Sequence, residues 1–257
     1  MVVVKIDVRK TIEQNAQGYF AKAQKARKKI KGVNKVLDTI KEKPVQEELA
    51  PKKRVVQRKL SWFEKFRWFI SSDRFLCVGG RDAATNEIII KKHAEKDDLV
   101  FHTDMAGSPF VVIKAQGKKV PQTTIDEAAQ FTASMSKAWK AGLGVLDVFY
   151  VAPEQVTKEA QAGEHLARGA FMVRGTTNYL RPSLELAACV VDYEGEKIMM
   201  APSNACKTHA KELVKIVPGK DKPSDVAKNV KKLLGTQEHL DIILRALPAG
   251  NSQIKKE

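Results

Sequence analysis

From Ile12 onward, apolar residues recur in alternating steps of four and three, at Ile12, Ala16, Tyr19, Ala23, Ala26, Ile30, Val33, Leu37 and Ile40. That spacing is the a/d seam of a heptad repeat and predicts a coiled coil or a long packed helix. Thr11 is placed to cap its start and Pro44 to end it. At ~1.5 Å per residue such a helix reaches on the order of 45 Å. Between the seam positions stand Lys22, Lys25, Arg27, Lys28, Lys29, Lys31, Lys35 and Lys41, so a narrow apolar stripe is backed by a broad cationic face. A single amphipathic helix packed flat on the rest of the chain fits the same spacing. Residues 44–59 hold two prolines and the cationic cluster Lys52, Lys53, Arg54, Arg58 and Lys59, and read as a loop leading into a returning helix.

After residue 60 the pattern changes. Ser61 and Glu64 form an S-x-x-E capping box before "WFEKFRWFIS", read as an aromatic-rich helix whose Trp62, Phe63, Phe66 and Phe69 need a core or a partner. Short apolar runs of period two follow: "RFLCVGG", "NEIIIKK", "DLVFHT", "PFVVIKA", "VLDVFYV", "GAFMVRG", "LELAACVV" and "EKIMMAP", with Gly, Pro and Asp at the turns. They predict a largely antiparallel sheet. One helix interrupts it, opened by a capping box at Thr124 and Glu127 and stopped at Gly142 or Gly144. A last pair of helices is expected at residues 204–213 and 223–234, with "VKIVPGK" between them. The fold class is therefore α+β, a largely antiparallel sheet with flanking helices, preceded by a basic helical coiled-coil arm. The expected division is an arm at 1–59 and a domain at 60–257.

Charge sharpens this picture. The formal net charge is +15, and residues 1–59 carry 17 Lys and Arg against 6 Asp and Glu. A concentrated basic segment on a near-neutral body points to a backbone-contacting arm and a polyanionic partner. The 43 per cent apolar content of the 257 residues excludes a disordered chain. Cys77, Cys189 and Cys206 stand far apart, which argues against a zinc site or a disulfide framework. No run has the apolar length of a membrane span or signal peptide, so a cytoplasmic protein is expected.

Two turns concentrate candidate chemistry. In "SSDRFLCVGGRDAATNEIIIKKH", Gly79 and Gly80 end a strand before Arg81 and Asp82. With "NEIIIKK" read as a strand, no helix follows, so neither a dinucleotide fingerprint nor a P-loop is satisfied and the stretch reads as a hairpin. Gly79, Gly80 and Asn86 suit its turn, and Arg81 and Asp82 could pair or hold a phosphate. In "FHTDMAGSPF", His102 and Asp104 would share a strand face, inviting a metal with His93 or a nucleophile at Ser108. No second histidine pair and no G-x-S-x-G supports either, and a polar turn built on Gly107 and Ser108 is the alternative. Neither a metal nor a cofactor is expected. Arg168, Arg174, Tyr179 and Arg181, and later Lys207, His209, Lys211 and Lys215, interleave cations with aromatic groups as RNA surfaces do.

The blocks "WFEKFRWFISSDRFLCVGGRDAATNEIIIKKH", "DLVFHTDMAGSPFVVIK", "TIDEAAQFTASMSKAW", "DVFYVAPEQVTK", "GEHLARGAFMVRGTTNYLR" and "VKIVPGK" run in order from about Leu60 to Pro218. Together they resemble the NFACT-R domain of the NFACT (Rqc2/NEMF/RqcH, fibronectin-binding-protein-A-like) family. The likeness is to a short standalone archaeal-type form lacking the NFACT-N domain, so tail synthesis is not expected of this chain alone. What the resemblance implies is binding to the large ribosomal subunit and tRNA in ribosome-associated quality control. It also marks Gly80, Arg81, Asp82, Asn86, Glu87, His102, Asp104, Gly107 and Ser108 as a functional surface.

The sequence thus points to a binding factor more than an enzyme. Its partners would be ribosomal RNA or tRNA and the large subunit, contacted through Lys25, Lys28, Lys29, Lys52, Lys53, Arg54, Arg81, Arg174 and Arg181, with a homodimer through the coiled coil. The alternatives are an RNA-modifying or RNA-processing enzyme and a DNA-binding, coiled-coil bridging protein.

Overall fold

The computed structural model describes residues 4–41, 60–159 and 166–255. The chain divides into two compact units, Met1–Arg58 and Lys59–Glu257.

Among the described residues of the first unit one helix, α1 (Ile12–Lys41), follows the heptad spacing. Its start is a reciprocal cap: Gln14 N donates to Thr11 Oγ1 at 3.2 Å and Thr11 N to Gln14 Oε1 at 3.1 Å. Ile12, Tyr19, Ile30 and Val33 of the seam are exposed. The expected end at Pro44, the returning segment 44–59 and the cations Lys52, Lys53 and Arg54 lie outside the described residues.

The second unit is α+β, and every strand pair in it is antiparallel among the described residues. Its central sheet joins β1 (Arg67–Ile70), β2 (Leu76–Gly79), β3 (Leu99–Thr103), β4 (Val111–Ile113), β5 (Val148–Val151) and β8 (Asn178–Leu180), in the order β1-β2-β4-β3-β5-β8. A ribbon pairs β6 (Val156–Thr157) with β7 (Met172–Val173). A second sheet has the order β10-β9-β11-β12, from β9 (Leu186–Asp192), β10 (Glu196–Ala201), β11 (Leu213–Asp221) and β12 (Ser252–Ile254). Because side chains alternate along a strand, the central sheet feeds two cores. Phe69, Cys77, Phe101, Val111, Ile113 and Val148 join the larger, which also takes in the second sheet and the helices, while Val78, Val100, Val112, Phe149 and Val151 join Phe63, Phe66 and Phe110.

Several local readings are corrected. The aromatic segment after Ser61 is no helix: one 3-10 turn, Trp62–Lys65, closes with Ser61 N donating to Glu64 Oε1 at 2.9 Å, and Phe66 then turns extended into β1. Pairing of Ile70 with Leu76 and of Phe69 with Cys77 captures this segment as a strand and outweighs its local helix signal. "NEIIIKK" is no strand either, because Asp82 caps a helix, α2 (Ala83–Ile88), that continues as a π-turn over Ile89–His93. Asp104 lies just past the end of β3, so it does not share that strand's face with His102.

The expected helix at "TIDEAAQFTASMSKAW" is two helices, α3 (Gln122–Ser134) and α4 (Lys137–Ala141). Ser136 Oγ accepts from Ala138 N at 3.1 Å to start α4 anew, and Gly142, at φ +69°, stops it. Thr124 and Glu127 sit inside α3, not at its cap: the Thr124 hydroxyl bonds Ser71 Oγ at 2.9 Å, and the Glu127 carboxylate accepts from Ser72 N at 2.9 Å. "VKIVPGK" is part of β11, flanked by α5 (Ser203–His209) and α6 (Pro223–Leu233), and a further helix α7 (Leu240–Ala246) precedes β12.

Candidate nucleic-acid site

The two motif turns meet. The turn after β2 begins with Gly80, whose N–H donates to Phe110 O at 3.0 Å, and α2 returns Asn86, whose Oδ1 accepts from Phe110 N at 3.1 Å. Asn86 is buried, so its side chain is a fixed bracket between α2 and the Ser108–Phe110 segment. At Gly80 an added Cβ would lie 1.8 Å from Asn86 Oδ1, so the bracket requires glycine there. Asp82 accepts from Thr85 N at 2.8 Å, while Thr85 Oγ1 accepts from Arg81 N at 2.8 Å and Asp82 N at 2.9 Å. The Thr85 amide and then its hydroxyl, both donating to the Asp82 carboxylate, hold that carboxyl below the usual carboxylate range. Glu87, one residue beyond the bracket, pairs with Lys91 at 2.7 Å and accepts from Gly169 N at 3.3 Å, tying the 168–169 segment to α2.

The second turn uses its polar groups internally. Ser108 Oγ donates to Met105 O at 2.9 Å and is also bonded to Thr103 Oγ1, so this hydroxyl holds the turn. Gly107, at φ +89°, adopts a left-handed conformation, and a Cβ there would meet Lys137 Cε at 2.3 Å. The His102 ring stacks on Phe110 at 4.1 Å, and burial pushes its pKa down. Asp104 accepts from the hydroxyl of the exposed Tyr179 at 3.3 Å. His93 instead stacks on Trp62 at 4.5 Å. Among the described residues no group of three or more His, Cys, Asp or Glu is placed to hold a metal ion.

Between the two turns lies a cleft of about 680 Å³. Of the marked residues, Gly80, Arg81, Asp82, Asn86, His102, Asp104, Gly107 and Ser108 line it, and Glu87 supports it from behind. Sequence reasoning missed Arg67, read as part of a helix, and Lys137, which it did not single out; both line the cleft, as does Arg168. Arg67 Nη1 donates to Met135 O at 2.8 Å, and Arg81 Nη2 to Phe66 O at 2.9 Å and Glu64 O at 3.2 Å. Burial, with the Arg81 charge adding to it, lowers the Arg67 pKa to about 10, which leaves it charged at neutral pH. Arg81 is lowered as well, by burial first and then by Arg245. A carboxylate pair would have signalled a structural role for these arginines, yet both are held by backbone carbonyls.

Other expected contacts lie elsewhere. Lys25, Lys28 and Lys29 are exposed on α1 in the first unit. Arg174 pairs with Glu159 at 3.6 Å and Arg181 with Asp147 at 3.6 Å, all on exposed side chains and none lining the cleft. Such surface pairs are weak and leave both guanidiniums accessible.

Residues 65–175, which hold both turns and most of the cleft, match the family described as "NFACT protein RNA binding domain". This segment is an NFACT-R domain. The chain is 44% identical, over 80% of its length, to the "Archaeal Rqc2 homolog aRqcH" of Methanocaldococcus jannaschii, of which it covers 31%. It is 38% identical, over 72% of its length, to the "Ribosome quality control complex subunit NEMF homolog" of Drosophila melanogaster, of which it covers 19%. To the human "Ribosome quality control complex subunit NEMF" it is 39% identical over 54% of its length and 14% of that protein. The chain thus spans about a third or less of these relatives. The solved C-terminal part of a fibronectin/fibrinogen-binding protein from Streptococcus suis aligns with TM-score 0.39 at 19% identity, over 78% of this chain and 80% of that one.

Proposed function

We propose that this NFACT-R chain is a non-catalytic RNA- and ribosome-binding factor that acts in the cytoplasm on the large ribosomal subunit and tRNA in ribosome-associated quality control. One observation carries the reading: within the segment matched to an RNA binding domain, two motif turns converge on a cleft whose charged groups are predominantly cationic. The relatives named for ribosome quality control support the setting. The exposed lysines of α1 supply a second, sequence-independent contact to phosphates. Pairing of two chains along the exposed Ile12, Tyr19, Ile30 and Val33 belongs to the same reading.

The test is co-sedimentation of the purified chain with separated large and small subunits, and with free tRNA, across a salt series. Retention on the large subunit that survives salt beyond the point where other polyanions are released is the expected result. Equal, salt-labile binding to every polyanion would leave only a basic protein and sink the proposal.

A further inference from the structure

We propose that the cleft takes the phosphorylated end of a nucleotide, a doubly charged phosphate monoester, with the attached base against its aromatic wall. This rests on the reading of the cleft as the RNA-contacting site and names the chemical group that it recognises. The charge count points there first. Arg67, Arg81, Lys137 and Arg168 line the cleft against only Asp82 and Asp104, which leaves two positive charges. His102 adds none at neutral pH, because burial disfavours its imidazolium.

The two guanidiniums make the excess costly in the empty cleft. Each donates to backbone carbonyls only, each has a buried Nε with no partner, and neither forms an ion pair with a carboxylate among the described residues. Asp82 offsets the Arg81 charge only in part; partly buried like charges that are incompletely countered are unfavourable, and a dianion offsets both at once. A phosphate monoester carries about −1.5 to −2 at pH 7 and three acceptor oxygens. An internal phosphodiester carries a single charge, and two of its oxygens continue into the chain, so it matches the count less well. Phe110, Phe149 and Phe171 line the same cleft; Phe110 and Phe149 are buried in the core, and the half-buried Phe171 is the ring that offers a face to a base. Aromatic faces of this kind accept any base by stacking. The volume of about 680 Å³ admits a nucleotide.

The monoester could come from an RNA end or a free nucleoside monophosphate, and calorimetry on the whole chain separates the two. The probes are a short single-stranded RNA with a 5′- or 3′-phosphate, the same RNA with hydroxyl ends, a nucleoside monophosphate, its unphosphorylated nucleoside, and inorganic phosphate. The expected result is about tenfold or greater preference for one phosphorylated end over the hydroxyl end, the scale of one or two added charge-assisted bonds. Inorganic phosphate should compete for that preference. The exposed substitutions Lys137→Gln and Arg168→Gln should reduce it while leaving the circular dichroism spectrum unchanged. Arg67→Lys, scored only if its thermal midpoint shows a folded protein, should reduce it further. A monophosphate that binds as tightly as the RNA end also supports the inference and makes the free nucleotide the ligand. Equal affinity for phosphorylated and hydroxyl ends, with no binding of monophosphate or phosphate, overturns the inference but leaves RNA binding standing if the RNA binds. If no RNA binds and the large subunit is not retained, the underlying reading falls instead.

Discussion

Gly80 shows how tightly a backbone position can be set by one side chain. A methyl group placed there meets Asn86 Oδ1 at 1.8 Å, and the same oxygen is the acceptor for Phe110 N. Gly80→Ala should therefore cost about 1–3 kcal/mol by overpacking, and Asn86→Ala about 1–3 kcal/mol by leaving a buried amide unpaired. Because both act on one contact, the double variant should lose less than the sum of the singles, by about 1 kcal/mol in urea denaturation. Strict additivity would mean that Asn86 is not what Gly80 accommodates. His102 gives a second prediction at this scale. The unfolded chain titrates the residue near its ordinary value of about 6.5, whereas burial in the fold lowers it. Between the two values the unfolded chain binds a proton that the folded chain refuses, so stability falls as pH drops below about 6.5. His93 is lowered in the same direction, chiefly by burial, so the comparison must isolate His102. His102→Phe should lose less stability than the parent between pH 7.5 and 5.5, and parallel curves would show that His102 does not carry the effect.

Elements differ in how far their own residues decide them. The helix α1 was legible from end to end in its described part because its heptad spacing and the Thr11–Gln14 cap are local. Its lysines from Lys22 to Lys31 are exposed, and on the proposed reading they are independent phosphate contacts. Lys25→Gln, Lys28→Gln and Lys29→Gln together should weaken RNA binding uniformly and reduce the slope of log affinity against log salt by ~2–3, at roughly 0.7–0.9 per contact. An unchanged slope in a filter-binding salt series would remove α1 from the interface. α2 was misread although its signal is present: Asp82 stands three residues before Thr85, a cap that the β-branched run Ile88–Ile90 obscured. The segment Trp62–Ile70 had no such local signal, since a capping box opens it and only pairing with β2 makes its end a strand.

At the scale of the whole molecule, the seam of α1 sets the expected assembly. Ile12, Tyr19, Ile30 and Val33 are 83%, 42%, 59% and 58% exposed in the single chain, an apolar stripe that a second α1 would cover. Sedimentation equilibrium should show a mass rising toward the dimer with concentration, and Ile30→Glu should hold the chain monomeric; a constant monomer mass would reject pairing. Within the second unit, the antiparallel strands and the Gly142 stop could be read from alternation and turn residues, since strand periodicity and the left-handed preference of glycine act within a few residues. So could the two motif turns, by resemblance. Their convergence could not. It depends on β2, β4 and β3 lying side by side, which brings Gly80 against Phe110 across 30 positions, and on α4 delivering Lys137 beneath Gly107. Arg67 joined the site only because its segment became a strand. Local propensity is written in neighbouring residues, but the placement of these cations around one cleft is the product of long-range pairing and core packing.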